Sequence, residues 1–254
     1  MSVPQFIKKY GSPAILTARA SIAHRSELSG TFLKTVLLVY REHVAQHLCT
    51  AFTTERIEGF GGRIERIKGT DVAIASGFGI GGPAVAALIE DLHAVGVDTI
   101  VSTGTCGQLA PSSSQVLICE RALRDEGVSH HYMPAERFAI PDTNLMVALE
   151  RHLVQSAVEP ARASSWTTDA LYRETVAERD TYLREGITCV EMEAASLFTV
   201  ARALGIRSTS VFVVSDVSDG EDHHIAFGDE NVIHTLEHVS ESTLKFLLSE
   251  HQGA

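Results

Sequence analysis

The turn Gly77-Phe78-Gly79-Ile80-Gly81-Gly82 most constrains what this chain can fold into, because of what flanks it. Residues 72–76 before it form a short run of small and β-branched residues, the pattern of a buried strand. After it, Pro83 takes a first helical position, where its missing N–H costs nothing, and Gly96 stands just past the segment's end. Between them Val85, Leu88, Ile89, Leu92 and Val95 recur at helical spacing and predict a helix over 83–95. The same alternation runs along the chain. Strands are predicted at 35–40, 72–76, 99–103, 115–119, 187–190 and 208–215, and helices at 41–51, 83–95, 143–157, 192–204 and 230–249. Strands alternating with helices give an α/β fold with a buried, largely parallel sheet. No linker, repeat or low-complexity tract interrupts it, so residues 1–254 read as a single domain.

Charge narrows the partners. The chain carries 21 basic and 32 acidic residues, a formal net charge of −11. That balance argues against nucleic acid and against an anionic membrane surface, while leaving room for a local basic pocket. No apolar h-region opens the chain and no run approaches a bilayer span. Cys49, Cys106, Cys119 and Cys189 are widely spaced with no CxxC pair, and read as reduced thiols of a cytoplasmic protein.

The glycine turn matches GxGxxG between a strand and a helix, which permits a dinucleotide site. The ribose-binding acid that such a site needs is missing: the next strand ends in Ser102-Thr103-Gly104, with Asp98 at its start. Tight turning alone is a second explanation. A third is an anion or hydroxyl-rich ligand, for which Gly104-Thr105-Cys106-Gly107 reads as a turn presenting consecutive amides and the Thr105 hydroxyl. No GxxxxGK[ST], GxSxG or HExxH is present. Two further segments draw attention. Cys189-Val190-Glu191-Met192-Glu193-Ala194-Ala195-Ser196 sets two acids in an apolar run where a strand hands over to a helix, and Val213-Val214-Ser215-Asp216 ends a strand on an acid. Buried carboxylates need polar or cationic partners, and a helix N-terminus supplies some.

Taken together, Gly79-Ile80-Gly81-Gly82-Pro83, Gly104-Thr105-Cys106-Gly107, the segment from Asp125 to Tyr132, Asp169-Ala170-Leu171-Tyr172, Glu191-Met192-Glu193 and Ser215-Asp216 resemble the nucleoside phosphorylase superfamily. That family holds uridine phosphorylase, the hexameric purine nucleoside phosphorylases and methylthioadenosine nucleosidase. The likeness covers about residues 60–220 and is nearest to uridine phosphorylase. It implies a three-layer α/β/α domain with a central twisted mixed sheet, and cleavage of a nucleoside's N-glycosidic bond, by phosphate in phosphorylases and by water in nucleosidases. Glu193 would grip the ribose hydroxyls, Met192 would floor the sugar, and Glu191 is counted with them. Gly104, Thr105 and Arg63 would hold phosphate, and Leu171 and Tyr172 would lie near the base. Asp216 would protonate or hydrogen-bond the leaving base, its alternative being a helix cap.

The chain departs from the family pattern in three places. Ile15 to Ser21 stands where phosphorylases carry a GDPxR loop, and Ser102 stands where they carry an arginine. Arg19 and Arg25 are possible substitutes. Arg63 matches an arginine that relatives donate across a subunit interface, and otherwise is a solvated strand residue. The residues that read uracil have no match in Arg173-Glu174-Thr175. One of His130-His131 is a candidate to face the site, and His223-His224 reads as solvated or core-satisfied, so no metal is expected. The resemblance implies inorganic phosphate as co-substrate with no cofactor, and a homo-oligomer, dimer or hexamer, with its site at the subunit interface.

Overall fold

A computed structural model describes residues 6, 8–109, 114–219, 222–225 and 228–252. The chain runs α1 (Ala18–Ile22), β1 (Thr35–Val39), α2 (Glu42–Ala51), β2 (Thr54–Ile57), β3 (Arg63–Ile67), β4 (Val72–Ser76), α3 (Gly82–Ala94), β5 (Thr99–Gln108) and β6 (Val116–Asp125). It continues through β7 (Phe138–Ala139), α4 (Thr143–Gln155), β8 (Ala161–Thr168), α5 (Val176–Arg184), β9 (Cys189–Glu191), α6 (Ala194–Leu204), β10 (Arg207–Asp219), β11 (Asp222–Ile225) and α7 (Glu230–Gln252).

The strands form one mixed sheet. β1 lies between β4 and β5, parallel to both, and the β2–β3 hairpin extends the β4 edge antiparallel. β10 runs parallel to β5 and antiparallel to β6 and β11. β6 pairs with β8, β8 with β9, and β9 returns to β5. The sheet is therefore open on the β4 side and closes on itself through β5, β10, β6, β8 and β9. It is more antiparallel than the alternation of elements predicts.

Side chains along β1 alternate between two cores, as the pleat requires. Val36 and Leu38 face a cluster with Val85 and Ile89 of α3 and Leu197 and Phe198 of α6. Leu37 and Val39 face Val44 and Leu48 of α2, Leu149 and Leu153 of α4, and Leu236 and Val239 of α7. Those two helical layers with the sheet between them are the expected three-layer architecture.

Several elements differ from the sequence reading. β8 has the sequence ARASSWTT, and its last six residues are buried although four of them are Ser or Thr. α5 buries no residue and so lacks the apolar stripe that reveals a helix; its mark is a capping box between Thr175 and Glu178. β2 and β3 carry charged residues throughout. The side chains of His223 and His224, whose backbone belongs to β11, lie outside the described residues.

Candidate active site

The site is organised by β5. On one side β10 pairs with it from Thr99 to Gln108. On the other, β1 pairs with it only as far as Thr103, then turns away through Tyr40 into α2, while β9 joins it only at Gly107 and Gln108. Residues 104–106 therefore line a gap where two neighbouring strands diverge, the place where open α/β sheets bind ligands. The predicted turn at 104–107 is corrected here: it is the end of β5, and its β10-facing backbone belongs to the sheet ladder. Polar backbone reaches the gap from the open edge of a strand instead, with the half-buried Thr105 on it.

Two glutamates border this gap in different states. Glu191 ends β9 and is buried. Its Oε1 accepts hydrogen bonds from Ser165 Oγ at 3.1 Å and Thr167 Oγ1 at 2.5 Å, and its Oε2 from the Glu193 and Ala194 amides at 2.7 and 2.6 Å. Burial raises its pKa, and those four donors oppose the shift. With its acceptor positions taken, Glu191 is a scaffold for the N-terminus of α6. Its assignment to the ribose group is corrected on that ground.

Glu193 stands at the N-cap position of the same helix without bonding its amides, and accepts from the Gly81 amide at 2.6 Å. Gly81 has φ +85°, a conformation other residues rarely adopt, so the glycine turn is shaped to aim this N–H across the gap. Burial, then the neighbouring Glu191, pushes the Glu193 carboxyl up to about 7, while its hydrogen bonds hold it down. Met192 lies between the two acids and is half-buried.

Across the sheet, Asp216 follows a bulge at Ser215 in β10 and sits opposite Gly107. A Cβ at position 107 would lie 2.6 Å from Asp216 Oδ2, so glycine makes room for that carboxylate. Ser215 Oγ donates to Asp216 Oδ1 at 2.8 Å. The acid occupies the interior of a strand, which removes the helix-cap alternative. Glu174, just past the turn at Leu171–Arg173, is half-buried; burial and then the charge of Asp216 push its carboxyl up to about 7. Leu171 and Tyr172 are exposed, Tyr172 to 94%. The half-buried acid that feels the charge of Asp216 is thus Glu174, outside the predicted pair Leu171 and Tyr172. Its only sequence signal was its place shortly after that pair.

The basic residues are engaged elsewhere. Arg63 on β3 donates to Glu65 at 2.9 Å and to Glu42 at 3.2 Å within its own chain. Arg25 binds Asp91, the Gly59 carbonyl and Ser21, tying the N-terminal segment to α3. Arg19 is exposed. His130 lies against Arg124, and His131 Nδ1 meets Lys9 Nζ at 2.6 Å. Among the described residues no cluster of three His, Cys, Asp or Glu is arranged to hold a metal ion.

The model of the phosphorylase superfamily matches residues 40–249. The chain belongs to that superfamily. The match begins at residue 40, so the stretch from Ile15 to Ser21 lies outside it; the turn Tyr40-Arg41-Glu42 enters the site from that end. A guanosine phosphorylase of Halorubrum lacusprofundi is 34% identical over 152 residues, 58% of this chain and 61% of that protein. A uridine phosphorylase of Haemophilus influenzae is 32% identical over 163 residues, 57% of this chain and 64% of that one. The chain thus spans under two thirds of the length of these superfamily relatives. Among solved structures, purine nucleoside phosphorylase of Toxoplasma gondii with immucillin-H superposes with a TM-score of 0.78 at 18% identity, covering 88% of this chain and 93% of that one. AMP nucleosidase of Bacteroides thetaiotaomicron gives 0.72 at 20% identity, covering 92% and 100%. These two likenesses establish the fold.

Proposed function

We propose that this chain is a nucleoside phosphorylase, a pentosyltransferase that converts a nucleoside and inorganic phosphate to free base and ribose 1-phosphate. The observation that carries the reading is Glu193, a half-buried carboxyl held from one side by the Gly81 amide at the edge of the gap. A carboxylate so placed accepts hydrogen bonds from the vicinal hydroxyls of a ribose, with Met192 beneath the sugar. A phosphate oxygen, held at Gly104 and Thr105, attacks C1′ as the C1′–N bond breaks. The bonding pair leaves with the base, and Asp216 donates a proton or hydrogen bond to it. Glu174, Leu171 and Tyr172 border the base side. The reaction needs no cofactor beyond phosphate. We read the chain as one cytoplasmic catalytic domain acting as a homo-oligomer, dimer or hexamer, in which Arg63 serves a neighbouring site.

A nucleosidase reading is favoured by one group of contacts. Arg63 is tied to Glu42 and Glu65, and Ser102 Oγ bonds Ser210 Oγ at 2.7 Å, so two positions that would bring cations to phosphate do not do so within the chain. Base release from a panel of purine and pyrimidine nucleosides, with and without phosphate, separates the two. Strict phosphate dependence with ribose 1-phosphate as product is expected; free ribose formed without phosphate would establish hydrolysis.

A further inference from the structure

Tyr40 is the side chain at this site that neither the resemblance nor the proposed roles account for. It follows β1 directly, at the point where β1 leaves β5. Its ring covers Gly104, where a Cβ would come within 2.9 Å of Cδ2, and it packs edge-on to Phe78 with centroids 5.4 Å apart. Gly104 on one side and Phe78 of the glycine turn on the other thus fix the ring. The phenol oxygen is buried, and no described residue meets hydrogen-bonding geometry with it. The Ser102 hydroxyl, bonded to Ser210 at 2.7 Å, is the one hydrogen-bonding hydroxyl that acts on the phenol, and it does so less than burial and the two glutamates do. A buried hydroxyl left without a partner costs stability, so it calls for a reason.

From this placement we infer that Tyr40 Oη is the donor that holds the attacking phosphate oxygen, the role a cation would otherwise fill; the inference rests on the phosphorylase reading. Burial, then the charges of Glu193 and Glu191, raises the phenol well above its ordinary pKa, so it stays protonated and acts as a donor. Its partner must be an acceptor. The ribose hydroxyls are the donors that Glu193 needs, whereas every non-bridging oxygen of phosphate accepts. A cation at this position would pair with Glu193 and occupy the sugar's acceptor. A neutral hydroxyl donates to phosphate and leaves Glu193 free. The phenol is therefore suited to a pocket where the anion's site adjoins a carboxylate.

The test compares wild type with Tyr40→Phe, using inorganic phosphate as the probe. In the wild type, base release must depend on phosphate; if it does not, the phosphorylase reading and this inference fall together. Given that dependence, Tyr40→Phe is expected to raise the phosphate KM at least tenfold while the nucleoside KM stays within twofold. It should also melt no lower than wild type in phosphate-free buffer, because it removes an unsatisfied buried hydroxyl, and should lose the rise in Tm that phosphate gives the wild type. A phosphate KM and a phosphate-induced Tm rise both matching wild type would overturn the inference alone, as would a defect confined to the nucleoside KM. Phe78→Ala, which frees the Tyr40 ring without touching Gly104 or Thr105, should show a phosphate defect of the same kind and provides the test if Tyr40→Phe does not fold; an unchanged phosphate KM there would overturn the inference.

Discussion

The junction of β9 with α6 and the turn at 171–174 border the same gap and are built differently. At the junction, Glu191 is fixed by four donors from β8 and from the first turn of α6, and Glu193 is held by Gly81 from across the gap. At the turn, Leu171 and Tyr172 face solvent and the following helix α5 buries nothing. The contrast separates two tasks. Under the proposed phosphorylase reading, gripping a sugar through bond cleavage needs a carboxylate whose position is set before substrate arrives, and reading a base would fall to a thinly attached segment.

Removing the preset carboxylate should have the largest effect. Glu193→Ala is expected to lower turnover about a thousandfold, the scale of a lost transition-state contact, with little change in Tm. Wild-type kinetics from this variant would take Glu193 out of the site. Glu191→Ala strikes the same junction through its scaffold. Leaving four buried donors without their acceptor should cost about 3 kcal/mol of stability, read as an earlier denaturant midpoint. An unchanged midpoint would show that water satisfies those donors and that the junction is not rigid.

Much of this site is legible in the sequence because glycines and acids at strand ends have few other uses. Gly81, Gly104, Gly107, Glu193 and Asp216 all border the gap, as their order along the chain implies. The hidden parts are hidden for physical reasons. β8 escapes a reading based on apolar runs because its interior is hydroxyls; Ser165 and Thr167 are buried there to serve Glu191, a partner 24 to 26 residues away. Glu191 and Glu193 look alike in sequence, and only the donors from β8 and from Gly81 distinguish scaffold from grip. Residues 104–107 look like a turn because small residues favour turns; they form a strand because β10 pairs with them, and positions 104 and 107 are glycine because Tyr40 and Asp216 need the space. Nothing local in the sequence marks Tyr40 or Glu174.

A moderate effect is expected from pH. Glu193, raised to about 7, must be ionised to accept from the sugar, so kcat/KM should fall about tenfold per unit as pH drops below 7. In Glu193→Gln this limb should vanish from whatever activity remains; its persistence would assign the limb to Glu174, raised to a similar value. The sign for stability is opposite. Between the ordinary carboxyl pKa and 7 the folded protein holds a proton that the unfolded chain has released, so stability falls as pH rises through that window.

The smallest effects belong to the turn. Leu171→Ala and Tyr172→Ala should change turnover less than threefold and act on nucleoside KM, because exposed side chains add contact area but no fixed geometry. A tenfold loss of turnover from either would mean that the turn closes over substrate and that the contrast between the two regions is false.

The central claim is that a single carboxylate, Glu193, grips the sugar at this gap. Calorimetric titration of ribose 1-phosphate into wild type and Glu193→Ala tests it without turnover, since that ligand carries both the diol and the phosphate. Binding by the wild type, weakened about a hundredfold or more in the variant while inorganic phosphate still binds both, is the expected result. Equal affinity for ribose 1-phosphate in the two proteins would contradict it.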